Sequence, residues 1–536
     1  MLIEEIVALQ KLVFQENCER KKLLEYVPTC KANYCVQVIR NHSFELVEHT
    51  IGAFLDYAGI GVDFTYTSYD DSFSFGEVNP NVDLYLIWID ASRYQNTDIK
   101  TFLGARVDAL RRIAQHPILI VPLGCDVDVV RGDVCTFCLS NLAEKMGAAF
   151  TDERMSKFTG TRLSNEAMVN ISRELGLRYL PAMLKPALKA IIVDLDNTLY
   201  QGIIGEDGIE NVVLTPGHRQ LQQTLAKLST QGFFLCAVSK NEQVEAERVF
   251  EIRKDFPLKK AHFTRICASW DQKTKSISDL AKFLNISADS MVFIDDNIGE
   301  LAAVHAVLPQ VRLLCAMPDG EETARAVANY PGLMKVVVNR EDALRRDDAQ
   351  ANEKRRALQA TLNNQQYIES LKMHLTYSYN NPEHIQRVSE LANKTNQFIF
   401  NYKRYSQTDV EERVFSENYQ VVTISLSDCL SDSGLIGVCV GRKVSDYVEL
   451  EECFISCRAL GRGIDDLIVL GAIHGILQHF QCEKLKVLFR EGPRNTPAHM
   501  FFNQYLSGYE TPAIFNKYRA SQTAVSIENV DYQEER

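Results

Sequence analysis

Two aspartates and a threonine follow a short apolar run near the middle of the chain. The run AIIV, residues 190–193, has the length and the β-branched character of a strand buried on both faces of a parallel sheet. The segment DLDNT, residues 194–198, comes directly after it. Because α/β folds build their sites at the carboxyl ends of such strands, we expect chemistry at Asp194 and Asp196.

Three further polar motifs lie close by in the sequence. Ser239 stands in VSKN, Lys273 in WDQKTK, and the pair Asp295 and Asp296 in FIDDN. Each motif ends an apolar strand or begins a helix, so a parallel sheet would bring all of them to one carboxyl edge.

These residue types in this order fit phosphoryl transfer. Asp194 attacks phosphorus as a carboxylate nucleophile only if a hard divalent cation offsets the repulsion between the anions, and Asp295 completes an oxygen-ligand Mg²⁺ site. Asp196 is placed to protonate the leaving oxygen and later to activate water. Ser239 and Lys273 bind the phosphoryl oxygens.

The segment after Asp196 is short. It leaves too little chain before the helix predicted near Thr215 for a large cap domain. Gly202, Gly205 and Gly208 let the loop fold closely over the site. We therefore expect an open site, which suits a bulky or protein-borne substrate.

The composition indicates a folded multidomain enzyme. Of 536 residues, 46% are hydrophobic, 24% charged and 9% aromatic, which allows about three or four domains. The net charge of −12 argues against nucleic-acid binding, and the 14 cysteines show no repeated spacing typical of disulfides or zinc. The N-terminus has acids where a signal peptide needs bases, and no apolar run approaches the ~18 residues of a membrane span. We expect a cytoplasmic protein without a membrane partner.

The first 30 residues are predicted to be a helical segment. One amphipathic helix is expected from Met1 to about Tyr26, with an apolar stripe of Leu2, Ile6, Leu9, Leu12 and Val13. This stripe either packs on its own domain or docks a partner.

Five segments follow. Residues 31–187 and 188–335 each alternate strands with helices, which predicts two doubly wound α/β domains. Residues 336–370 are highly charged and predict a solvated linker helix. Residues 371–518 predict an α+β domain, and residues 519–536 a loosely ordered tail.

The segment SCRALGRG, residues 456–463, separates the last predicted strand from a long apolar helix. It contains RxxGxG as Arg458, Gly461 and Gly463, and backbone amides at such a helix start bind pyrophosphate well. Its surroundings resemble a GNAT-type acyltransferase fold, which implies a site for coenzyme A or phosphopantetheine. A tight turn without a ligand is the alternative.

The four central motifs resemble the haloacid dehalogenase-like (HAD) phosphotransferases. The resemblance implies a Rossmannoid core with DxDxT at residues 194–198 and Mg²⁺ held by Asp194, Asp295 and the backbone carbonyl of Asp196. Together with NKTNQFIFNYKRYS, GLIGV and SCRALGRG, the motifs resemble the FkbH-like family of polyketide-associated proteins from about Lys189 to Tyr509. Weaker similarity before Lys189 resembles an SGNH-hydrolase-like domain.

The FkbH-like resemblance implies a reaction at an acyl carrier protein. Family members take the glyceryl group of 1,3-bisphosphoglycerate, lose phosphate and load the phosphopantetheine thiol of the carrier, often through an enzyme cysteine. A Mg²⁺-dependent phosphatase of a small phosphorylated metabolite and a non-catalytic docking scaffold remain as alternatives.

The chain departs from the family pattern at two places. Many members have cysteine directly before Ser-Lys-Asn, where this chain has Val238, and Cys236 lies one strand pleat deeper. Cys236 is either a substitute relay or a buried core residue, and we expect direct attack by the carrier thiol. Ser43 stands where an SGNH nucleophile would, but no GDS flanks it and no late DxxH supplies a base, which predicts a non-catalytic domain.

Overall fold

The computed structural model describes residues 2–114, 116–127, 134–336, 340–395, 397–456, 459–460, 462–492, 495–508 and 524–532. The chain divides into two compact units, which are Met1–Ser278 with Ser287–Val338 and Asp279–Ile286 with Asn339–Arg536. Both units combine helices with sheets, and the first contains two parallel sheets. No helix in the described part of the chain is long and apolar enough to cross a membrane.

The first sheet has five parallel strands in the order β2-β1-β3-β4-β5. Its central strands are apolar runs buried on both faces, as parallel sheets require. The predicted alternation of strands and helices is present, and the short β5 is an addition to it. The elements are α1 (Ile3–Phe14), α2 (Arg20–Glu25), β1 (Tyr34–Arg40), α3 (Glu45–Ala58), β2 (Val62–Tyr66), β3 (Leu84–Asp90), α4 (Ile99–Arg111), β4 (Ile118–Leu123), β5 (Val134–Thr136), α5 (Ser140–Met146), α6 (Glu153–Thr159), α7 (Asn165–Glu174) and α8 (Leu180–Leu184).

The second sheet has five parallel strands in the order β10-β9-β6-β7-β8. Val193, the last residue of β6, pairs with Ala237 of β7 and with Ile294 of β9, so these three strands end at one edge. The elements are β6 (Ala190–Val193), α9 (Ile204–Asp207), α10 (Pro216–Thr230), β7 (Phe234–Ser239), α11 (Gln243–Ile252), β8 (Arg265–Ala268), α12 (Lys273–Leu284), β9 (Met291–Asp295), α13 (Ile298–Val307), β10 (Arg312–Cys315) and α14 (Glu321–Ala328).

The second unit contains a six-stranded mixed sheet in the order β15-β14-β13-β12-β11-β16. Strands β11 to β14 are antiparallel, while the edge strands β15 and β16 run parallel to their neighbours. The tail expected to be loosely ordered therefore supplies an edge strand. The elements are α15 (Arg340–Thr361), α16 (Asn364–Leu371), β11 (His374–Tyr379), α17 (Ile385–Lys394), α18 (Gln407–Val414), β12 (Tyr419–Ser427), β13 (Asp432–Val444), β14 (Tyr447–Ile455), α19 (Asp465–His479), β15 (Leu485–Val487), α20 (Thr496–Tyr505) and β16 (Ser526–Asp531).

The N-terminal helix is shorter than the sequence predicts. It ends at Phe14, where Arg325 Nε donates to the Phe14 carbonyl at 3.0 Å and Arg173 donates to the next carbonyl. These arginines satisfy carbonyls that a longer helix would bond internally. Leu2, predicted on the apolar stripe, is 67% exposed, and the polar Gln10 is buried instead.

Gln10 closes the open edge of the second sheet. Its Nε2 donates to the carbonyl of Cys315 at 2.7 Å, and its Oε1 accepts from the Cys315 amide at 2.9 Å. Cys315 ends β10, an edge strand, so the side-chain amide stands in for a neighbouring strand. The helix predicted either to pack on its own domain or to dock a partner thus packs within its own unit.

The charged segment after residue 336 contains a helix that is not fully solvated. Asp348 and Arg355 of α15 are buried and form an ion pair at 3.0 Å. Arg355 also pairs with Asp428 at 2.8 Å, and Arg462 pairs with both aspartates. The expected solvated linker helix is therefore wrong at these positions, because the charges neutralise one another inside the second unit.

We predict that Gln10→Ala lowers the free energy of unfolding by about 1–3 kcal/mol, because it leaves the buried amide and carbonyl of Cys315 without partners. Chemical denaturation followed by far-UV circular dichroism measures the change. Gln223→Ala, on the exposed face of α10, is the matched control and should alter stability by less than about 0.5 kcal/mol. Equal effects of the two variants would contradict the edge-closing role of Gln10.

Candidate active site

Four predicted residues lie at the carboxyl edge of the second sheet. Asp194 follows β6, Ser239 and Asp295 are the last residues of β7 and β9, and Lys273 is the first residue of α12. All four are buried, although their types are strongly solvated in water. The parallel register thus brings together the motifs that the sequence separates.

Lys273 connects the two buried aspartates. Its Nζ lies 2.6 Å from Asp295 Oδ2 and 3.0 Å from Asp194 Oδ1. Burial acts to lower the pKa of Lys273, but the two carboxylates raise it above its ordinary value. Burial raises the pKa of both Asp194 and Asp295, and Lys273 opposes this shift. The ammonium of Lys273 therefore pairs with two buried carboxylates, which have little contact with water.

A third carboxylate joins this pair. One oxygen from each of Asp194, Asp295 and Asp296 lies within 4.8 Å of the other two. Three carboxylates facing one lysine leave an excess of negative charge, and hard oxygen ligands at this spacing fit Mg²⁺. Asp296 was noted in FIDDN but not predicted as a ligand, and its signal in the sequence was the adjacent acidic pair.

Asp196 is held by three donors. Its Oδ1 accepts from the Tyr200 hydroxyl at 2.9 Å and from the Ile204 amide at 3.1 Å, and its Oδ2 accepts from Asn241 Nδ2 at 2.7 Å. Asn241 also donates to Ser239 Oγ at 3.0 Å. Sequence reasoning missed Asn241, which is the last residue of VSKN and links Asp196 to the predicted phosphate-binding serine.

The loop after Asp196 is compact. Asn197 has a left-handed backbone (φ 52°), and its Oδ1 accepts from the Gly202 amide at 2.9 Å. Gly202 and Gly208 also have positive φ, whereas the third glycine of the pattern, Gly205, lies within α9 and does not. All residues from 196 to 216 are described, and the four-residue α9 is the only helix between Asp196 and α10. The segment between Asp196 and α10 therefore forms no large cap.

The cysteine candidates lie on one face of the sheet. Cys236 is fully buried in β7, and burial raises the pKa of its thiol strongly. Val238 pairs in register with Cys267 of β8, so Cys267 shares the face of Val238 and Cys236. Cys267 is only partly buried and was not considered from the sequence.

The predicted pyrophosphate turn is described only in part. Arg458 and Gly461 lie outside the described residues. Gly463 has a left-handed backbone (φ 75°), which favours glycine. The adjacent Arg462 is committed to Asp348 and Asp428.

Ser43 lies between β1 and α3, and among the described residues it does not bond a histidine. Its Oγ donates to Glu45 Oε2 at 2.6 Å. His42 Nδ1 instead bonds Thr161 Oγ1 at 3.0 Å, and burial lowers the pKa of His42. This arrangement differs from a serine–histidine nucleophile pair.

Comparisons with known proteins give structural similarities alone. No family model matches the chain, and no curated protein matches it. The N-terminal part of a Bacteroides fragilis protein, which contains a phosphatase domain and was crystallised with Mg, is 19% identical with a TM-score of 0.45 and covers 63% of this chain and 100% of its own.

Two smaller structures also match. A Streptomyces avermitilis protein described as a HAD family hydrolase is 17% identical, with a TM-score of 0.21, and covers 28% of this chain and 94% of its own. A hypothetical protein from Xanthomonas campestris is 18% identical, with a TM-score of 0.20, and covers 26% of this chain and 81% of its own.

We predict that Mg²⁺ stabilises the protein through Asp295. Mg²⁺ at about 100 times its Kd should raise the melting temperature by roughly 5 °C, because binding adds about 2.7 kcal/mol to the folded state. Asp295→Asn should have about the same melting temperature as the metal-free wild type, and Mg²⁺ should not raise it. Differential scanning fluorimetry measures both melting temperatures. Asp63→Asn, at an exposed position of β2, should keep the increase in melting temperature that Mg²⁺ causes. A full Mg²⁺ response in Asp295→Asn would remove Asp295 from the metal site.

Proposed function

We propose that this protein is a Mg²⁺-dependent HAD-like phosphatase whose nucleophile is Asp194. The contact of Lys273 with Asp194 and Asp295, beside the third carboxylate of Asp296, carries the proposal. When bound by the three aspartates, Mg²⁺ reduces the repulsion between the phosphate and the carboxylate nucleophile. Carboxylates whose pKa is raised by burial, gathered at one sheet edge, are typical of catalytic sites.

Each residue of the site has its own role in the proposed reaction. An oxygen of Asp194 forms a bond to phosphorus while the bond from phosphorus to the leaving oxygen breaks. Lys273 and Ser239 hold the phosphoryl oxygens during this step. Asp196 then takes a proton from water, whose oxygen attacks phosphorus and releases phosphate from Asp194.

Asp196 is placed to serve a phosphate ester as the substrate. It protonates the leaving oxygen in the first step and takes a proton from water in the second, and Tyr200, the Ile204 amide and Asn241 hold its oxygens in position. An ester substrate needs a proton on the departing alkoxide, whereas an acyl phosphate can release its acyl group as a stable carboxylate. We therefore infer that Asp194 acts on the phosphate ester at C3 of 1,3-bisphosphoglycerate, the candidate that the FkbH-like resemblance implies, because attack on the phosphorus of the acyl phosphate would release the acyl group as a carboxylate and leave none to transfer.

The finer proposal is transfer of the acyl unit to the phosphopantetheine of an acyl carrier protein in the cytoplasm. A carrier needs a surface beside an open site, and exposed hydrophobic side chains follow four strands at the carboxyl edge of the sheet. Trp270, after β8, is 70% exposed. The others are Ile203, Val213, Val244 and Ile298. Such side chains support a protein partner at this edge.

The C-terminal sheet fits this proposal as a GNAT-like domain, because such folds bind the same pantetheine arm. The N-terminal sheet would then be a non-catalytic SGNH-like scaffold.

The route of transfer follows from the cysteines. In direct transfer the carrier thiolate forms a bond to the acyl carbon at C1, the carbon–oxygen bond to the C1 phosphate breaks, and that phosphate leaves, while the C3 phosphate is removed by hydrolysis at Asp194. Cys236 is a poor relay because it is buried and its raised pKa keeps it protonated. The partly buried Cys267 is the alternative relay. We favour direct attack, since Val238 stands where the family's usual cysteine would.

We predict that Asp194→Asn reduces Mg²⁺-dependent phosphate release from acetyl phosphate to background, because the nucleophile is lost. Asp196→Asn should slow hydrolysis of p-nitrophenyl phosphate and acetyl phosphate by about 10²-fold through loss of the base. Released phosphate measures both variants, and Asp271→Asn, at an exposed position, is the control. Retained turnover in Asp194→Asn would contradict the nucleophile assignment.

We also predict that 1,3-bisphosphoglycerate, Mg²⁺ and a holo acyl carrier protein yield a glyceryl-carrier adduct by intact mass spectrometry. Cys236→Ala and Cys267→Ala should both keep most of the loading, because neither thiol is needed for direct attack. An adduct on either cysteine without the carrier would contradict direct attack. Phosphate release without an adduct would support the metabolite phosphatase. If neither phosphate nor an adduct forms, the result would support the docking scaffold.

A further inference from the structure

A cavity of about 660 Å³ lies in the second unit, between the C-terminal half of α19 and the strands β11, β12 and β16. Its size is in the range of small-molecule sites. The described lining residues include Tyr379, Gln420, His474, Gln478, Asn529 and Asp531. The turn predicted to bind pyrophosphate precedes α19, so this cavity is at the other end of the helix.

Two glycines shape the wall that α19 contributes. A Cβ atom on Gly471 would lie 2.3 Å from the Tyr377 hydroxyl oxygen, and one on Gly475 would lie 2.4 Å from that of Tyr379. Only glycine allows the tyrosines to approach the helix so closely. The Tyr379 hydroxyl in turn donates to Asn529 Oδ1 at 2.9 Å, which connects the wall to β16.

Gln420 is the unusual residue of this cavity. It is only 1% exposed, yet neither Nε2 nor Oε1 has a hydrogen-bond partner among the described residues. Buried side-chain amides are normally satisfied, as Gln222 is by the Leu199 carbonyl and the Leu258 amide. Gln420 therefore keeps an unused donor and an unused acceptor, side by side, in the wall of the cavity.

The described lining of the cavity favours an uncharged occupant over an anion. No lysine or arginine is among the described lining residues, and Asp531 contributes a carboxylate. The other polar groups named here are amides, a phenol and an imidazole. An uncharged ligand with its own donor next to an acceptor satisfies both atoms of Gln420 at once.

We propose that this cavity binds an uncharged ligand through a bidentate hydrogen-bonded pair with Gln420. The ligand edge carries an N–H donor beside an acceptor, as in a nucleobase or a primary carboxamide. Glutamine pairs with adenine in this way when it reads DNA. The inference is independent of the phosphatase proposal, because every residue that carries it lies in the second unit.

Isothermal titration calorimetry of the full-length protein with adenosine and with nicotinamide tests the proposal, and the two probes separate the nucleobase from the carboxamide. At least one should bind with a Kd below about 1 mM. AMP should bind no more tightly than adenosine, because the described lining residues offer its phosphate no lysine or arginine and include the carboxylate of Asp531. Failure of both probes to bind, or tighter binding of AMP, would overturn the proposal.

Gln420→Met tests the contact itself. It should weaken binding of the active probe by about tenfold or more and leave the melting temperature unchanged or higher, because no hydrogen bond in the free protein is lost. Gln222→Met is the matched control and should lower the melting temperature while keeping the affinity. Gln478→Trp, at an exposed lining position, should block the cavity and abolish binding without unfolding the unit. Unchanged affinity in Gln420→Met, or a melting temperature lowered as in Gln222→Met, would refute the role of Gln420.

Discussion

The pairing of one lysine with two buried aspartates is the constraint on which the first unit depends. Removing an ion from water costs several kcal/mol, and Asp194 and Asp295 also repel each other. Lys273 compensates both only because β6 and β9 end in register and α12 begins opposite them. This placement depends on the apolar strands, the short connections and the aligned strand ends. It leaves an excess of negative charge that a divalent cation can neutralise.

The first unit supports the site from its edges. Strand β10 is open on one side, and α1 closes it through the paired hydrogen bonds of Gln10. The same helix joins the N-terminal sheet to the second sheet, because Phe14 contacts Tyr57, which contacts Tyr330. The N-terminal residues are therefore part of the scaffold that holds the strands of the site, whatever further role the first sheet has.

The second unit contains two kinds of buried polar group. In the ion-pair network of Asp348, Arg355, Asp428 and Arg462, each charge meets an opposite charge, so the network is close to neutral. Gln420 is buried without any such compensation. Networks of opposite charges are typical of structural roles, whereas the uncompensated amide of Gln420 is the observation on which the proposed ligand site rests.

The sequence alone determined the type of fold in the first unit and most of the candidate site. Apolar runs followed by Asp194, Ser239 and Asp295 predicted strands whose polar ends meet, because strand periodicity and the location of α/β sites are local and general rules. The tertiary structure decided the rest. Asn241 between Asp196 and Ser239, Gln10 on β10, the buried charges of α15 and the strand β16 all depend on partners distant in the chain. Local patterns of hydrophobicity and charge do not encode such pairings, since they show what a residue is but not which group it will meet.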